Sequence, residues 1–73
     1  MPSKEKQIRN GRNMIIGWTQ EYPDRIIAVH YKKGYVGCYS KGADVTTDLS
    51  GKIYCYGDGS TDLVRIADKE FIK

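Results

Sequence analysis

Apolar and polar positions alternate in short runs separated by turn-forming residues, and none of the runs is long enough to read as an amphipathic helix. Met14–Thr19 is a short apolar run of strand type. Glu21–Asp24 is turn material, since Pro23 fixes its φ and lacks an N–H. Arg25–Tyr31 is the strongest strand signal, Lys32–Gly34 turns it, and Tyr35–Tyr39 returns. Lys41–Gly51 is rich in Gly, Asp, Ser and Thr and reads as a loop. Lys52–Tyr56 and Asp62–Ile66 read as a fourth and a fifth strand around a hairpin at Gly57–Ser60, with room for one helical turn at Asp68–Glu70. The expectation is an all-β fold, a small five-stranded barrel over residues 13–73. Closing the sheet would remove its bare edges.

Alternation also assigns faces, because successive side chains along a strand point to opposite sides. Val36 and Cys38 alternate with Tyr35, Gly37 and Tyr39, and Ile53 and Cys55 alternate with Tyr54 and Tyr56. The aliphatic and thiol positions are expected in the core, with Cys38 near Cys55, and the tyrosines on the outer face.

Charge adds a separate segment. Residues 1–12 carry Lys4, Lys6, Arg9 and Arg12 against Glu5 alone, so the whole net charge of +3 lies there. With no apolar stripe, residues 1–12 read as a basic tail, flexible until bound, of the kind that a phosphate backbone or an acidic protein surface attracts.

A chain of 73 residues has room for one domain with a thin core, which disfavours a deep catalytic pocket. The expected function is therefore binding and not catalysis. No run approaches the length of a membrane helix and the polar N-terminus is no signal peptide, so a cytoplasmic location, no membrane contact and reduced thiols are expected. Beginning at methionine, the chain reads as a complete small protein of phage or bacterial type.

His30, Cys38 and Cys55 are the only soft metal ligands and lack zinc spacing. Asp58–Asp62 imitates the start of a calcium loop, but Leu63 and Lys69 stand where a glycine and a bidentate glutamate are needed. No metal or cofactor is expected.

The richer signal is the aromatic one, with six tyrosines against one phenylalanine. Tyr31, Tyr35, Tyr39, Tyr54 and Tyr56 come from adjacent or near-adjacent strands, where they could stack on bases, and Lys32, Lys33 and Lys41 lie beside them to meet phosphates. The expected binding residues are Tyr31, Lys32, Lys33, Tyr35, Tyr39, Tyr54, Tyr56 and Asp58, joined by Lys4, Lys6, Arg9 and Arg12. The expected partner is nucleic acid or a nucleic-acid-handling protein, with a small protein-binding inhibitor or adaptor as the alternative.

Ala28–Tyr39, AVHYKKGYVGCY, and Tyr56–Val64, YGDGSTDLV, followed by ADKEF, resemble Tudor-type, SH3-like barrels over roughly residues 25–72. The resemblance implies a five-stranded barrel. It also implies an aromatic cage for methylated lysine or arginine, to which Tyr31, Tyr35 and Tyr56 would correspond, with Asp58 or Asp62 as its acidic member.

Overall fold

Six antiparallel strands run in chain order across one open sheet, and a C-terminal helix lies on one of its faces. The structure, a computed structural model, describes residues 4–72. The strands are β1 (Lys4–Arg9), β2 (Ile15–Glu21), β3 (Arg25–His30), β4 (Gly34–Ser40), β5 (Val45–Asp48) and β6 (Ile53–Tyr56), followed by α1 (Ser60–Ile72). Each strand pairs with the next in sequence, as short turns dictate.

Four expectations are corrected, the first being the loop at residues 41–51, in which Val45–Asp48 form β5 between β4 and β6. The sheet is open and not a closed five-stranded barrel: β1 and β6 are its two edges. Within the segment expected to be a flexible tail, residues 4–9 form β1, ordered by pairing with β2 and by burial of Ile8; residues 1–3 lie outside the described residues. The expected fifth strand, residues 62–66, is helical.

The helix has a local cause. Asp58 Oδ1 accepts hydrogen bonds from the Ser60 amide and hydroxyl, and the Leu63 amide donates to Gly59 O, closing the first turn. Leu63, Val64 and Ala67 are then buried on one helical face. Burying that stripe needs a second layer, which the sheet supplies.

Two glycines let the helix lie close. A Cβ on Gly17 would stand 2.6 Å from Val64 Cγ1 and would clash with Val29 O. A Cβ on Gly37 would stand 2.5 Å from Leu63 Cδ1. The face carrying Gly17 and Gly37 is therefore the helix-covered face. Ile8, Ile16, Ala28 and Val36 join the helix stripe to form the apolar core.

Three β-bulges decide which residues share that face. The register shifts opposite Ile8/Arg9, Ala28/Val29 and Thr46/Thr47, and the extra residues are Ile16, Val36 and Tyr54. Ile16 and Val36 are buried in the core, and Tyr54 lies against Gly59 at the start of α1. A bulge leaves two successive residues on one side, so the face alternation slips by one at each.

The opposite face has no element over it among the described residues. Register places three cross-strand rows there: Gln7–Trp18–Val29–Tyr35, Glu5–Gln20–Ile27–Cys38–Thr47–Ile53, and Arg25–Ser40–Val45–Tyr56. Cys38 therefore sits on the uncovered face and Cys55, opposite Thr46, on the covered one, so they are not core neighbours; both are free thiols.

Candidate functional site

The strongest convergence of charged side chains lies along the seam between β1 and α1. Lys4, Lys6 and Ile8 share the helix-covered side of β1, opposite Glu21, Thr19 and Gly17. Arg65 and Lys69 are exposed or partly exposed residues of α1, four apart, and so share one helical flank. At one end of the seam, a concavity of about 330 Å³ is lined by Arg9, Asn10, Gly11, Ile16, Arg65, Asp68 and Lys69. Toward the start of α1, a second of about 500 Å³ is of mixed charge, with Lys4, Glu5, Lys6 and Glu21 on the sheet side and Asp58, Ser60 and Thr61 on the other.

Local structure holds these cations in place. Asn10 Oδ1 accepts from the Arg12 and Met14 amides, which builds the β1–β2 turn. The Arg9 guanidinium donates to Asn13 O across that turn, at 2.8 Å.

Glu5, between Lys4 and Lys6, accepts from the Gln20 side-chain amide, and three other nearby carboxylates have partners of their own. Asp58 receives Ser60. Glu21 pairs with Lys41 at 2.8 Å, and this bond holds its carboxyl below the ordinary glutamate range. Asp68 receives the ring of His30. Among the described residues, Lys4, Lys6, Arg9, Arg12, Arg65 and Lys69 form no ion pair. The other flank of α1 differs in sign: Glu70 there pairs with Lys33 at 3.7 Å.

His30 is completely buried, with Nε2 3.1 Å from Asp68 Oδ1. Its Nδ1 accepts the amides of both Lys32 and Lys33, each at 3.1 Å. The ring proton therefore sits on Nε2 and is donated to Asp68. Both nitrogens are consumed in tying the β3–β4 turn to α1, and no pairing with Cys38 forms; the Cys38 thiol instead lies 3.8 Å from Thr47 Oγ1.

The expected tyrosine cluster is divided. Tyr35 and Tyr56 lie on the uncovered face, in different rows. Burial and the Cys38 thiol push the Tyr35 hydroxyl above its ordinary range. Tyr39 lies on the covered side and donates to Asp44 at 2.6 Å. Tyr54 turns toward α1 at its bulge, and Tyr31 packs against His30 and Phe71. Lys32 lies over the Tyr31 ring, 5.8 Å from its centroid. Tyr31, Tyr35 and Tyr56 do not converge on one cage, and the Asp58 carboxylate caps the helix.

So the structure sets Arg9 beside Arg65 and Lys69 and places Lys4 and Lys6 at the other end of the seam, while Arg12 lines a separate concavity with Tyr31 and Asp68. The partners that sequence reasoning missed are Arg65 and Lys69. Their four-residue spacing was a usable signal only with residues 60–72 read as a helix.

Among the described residues, no three or more His, Cys, Asp and Glu side chains are grouped to hold a metal, and no helix is long and apolar enough to cross a membrane. Comparison of the chain with protein-family models, with curated proteins and with solved structures finds no match.

Proposed function

We propose that this chain is a non-enzymatic binding module that takes nucleic acid along the basic seam between β1 and α1. The observation that carries this reading is the concavity in which Arg9, Arg65 and Lys69 meet while the carboxylates around them are engaged. Cations that form no ion pair attract a polyanion, and displaced counterions then drive its binding. Phosphate contacts of this kind position a strand without reading its sequence. The expected behaviour is binding to single-stranded and duplex oligonucleotides alike, with little sequence preference.

The test is anisotropy with labelled oligonucleotides over a salt series. Log affinity should fall linearly with log salt. Replacing both Arg65 and Lys69 by alanine should weaken binding across all sequences and lower the slope by about 2, one for each lost phosphate contact. The folded circular dichroism spectrum should persist, since both side chains lie outside the core. Binding that is absent, insensitive to salt or untouched by the double substitution would overturn the reading.

A further inference from the structure

We propose that two copies of this chain associate through their uncovered sheet faces, forming a sandwich with the two helices outside. This inference concerns a different surface from the basic seam and stands apart from the nucleic-acid reading.

The starting point is composition. An antiparallel sheet with one face on the core ordinarily alternates apolar inside and polar outside. Here the outside rows instead carry Trp18, Ile27, Val29, Cys38, Val45 and Ile53. They spread across β2 to β6 with Gln20, Ser40 and Thr47 between them; Ile53 is exposed and the other five are half-buried, and an apolar grouping of this kind on an uncovered face marks an interface.

Charge selects the occupant. The face holds one acidic residue, Glu5, and two basic ones at its margins, Arg25 and Arg9, the latter paired with Ile15. Three charges, all at the margins, give the face little field to draw a charged partner, and its centre can meet an identical face without like-charge crowding. In a two-fold dimer the same patch serves both partners.

Geometry favours face over edge. The β1 edge begins Lys-Glu-Lys, and β6 is four residues long with a bulge, so neither invites another strand. Six strands at ~4.8 Å spacing and ~3.3 Å per residue give a footprint of roughly 500 Å². Two such footprints reach roughly 1,000 Å², the scale at which an interface becomes specific.

The only tryptophan of the chain lies on this face, which provides the readout. The full-length protein is examined by sedimentation from about 1 μM to about 1 mM, the range where weak dimers dissociate. The mass should rise from 8.3 kDa toward twice that value, with Trp18 emission shifting to the blue along the same curve. Ile27→Lys should weaken association by roughly 100-fold or more, because it places a charge in the joined faces. Ile53→Lys, at a position already 54% exposed in the single chain, should weaken it in the same direction with folding undisturbed. A constant mass of 8.3 kDa would overturn the proposal, as would a dimer whose Trp18 emission stays fixed or whose association both variants leave unchanged. Equally, a chain that stays monomeric and uses this face for a foreign protein or an oligonucleotide would refute it.

Discussion

His30 shows how one buried polar side chain joins elements distant in sequence. It receives two amides of its own turn and donates to Asp68, which is 38 residues away. Replacing His30 by alanine would leave the Asp68 carboxylate almost buried without its donor and would free two amides. Losses of this kind run to about 3 kcal/mol. A domain of this size has only about 3–5 kcal/mol in total. Urea denaturation should therefore find His30→Ala unfolded or barely folded, whereas His30→Gln, which keeps a donor and an acceptor, recovers part of the loss. Equal stability of the alanine variant and the parent would contradict the bridging role. Nitrogen NMR of the parent should show the proton on Nε2. Thr46 does similar work, donating to Gly57 O at 2.6 Å and accepting the Gly59 amide at 2.7 Å, which fixes the approach to α1.

At the scale of elements, helix and sheet are mutually dependent. A thirteen-residue helix is marginal alone, and its stability comes from its cap and its packing. Asp58 supplies the cap, so Asp58→Ala should cost about 1 kcal/mol, read as a lower thermal midpoint with early loss of helical signal. An unchanged midpoint would show that the bonds to Ser60 contribute nothing net. Asp62 in the first turn and Lys69 in the last suit the helix dipole. The strands were legible where the apolar runs are dense, at residues 15–21, 25–30 and 34–40. β1 was not, because an edge strand with a single buried residue leaves almost no apolar pattern. The helix was missed because Leu63-Val64 looks like strand on its own. Its period emerges only when Asp58, Ala67 and Phe71 are taken together.

For the whole molecule, pH acts through the rim of the sheet. Hydrogen bonds from Lys41 hold Glu21, and from Ser50 hold Asp48, below the ordinary carboxylate range. A depressed carboxyl adds stability that is present above its unfolded value and lost as pH falls through the folded one. The bond from Tyr39 to Asp44 raises the tyrosine, so its contribution is present below the ordinary tyrosine range and lost as pH rises through the raised value. Thermal melts from about pH 2 to about pH 11 should thus show a neutral plateau with an acid and an alkaline limb. Lys41→Met should shrink the acid limb, and Tyr39→Phe the alkaline one. Limbs that persist unchanged in both variants would place the titrating groups elsewhere.

By itself the sequence determined a small fold built mainly on β-strands, the strongest strands and turns, and the segment that holds the net charge, while its all-β reading missed the helix. These are local properties, set by side-chain period, by turn chemistry and by charge. Only the tertiary structure decided which faces those residues share. Three bulges each slip the alternation by one residue, moving Ile16, Val36 and Tyr54 toward α1 and parting Cys38 and Tyr39 from their expected sides. Register is a pairing between strands, and no single strand encodes it. For the same reason the basic segment reads as a tail in one dimension. Folded, it is a paired strand beside Arg65 and Lys69, and among the described residues no element covers the sheet's second face.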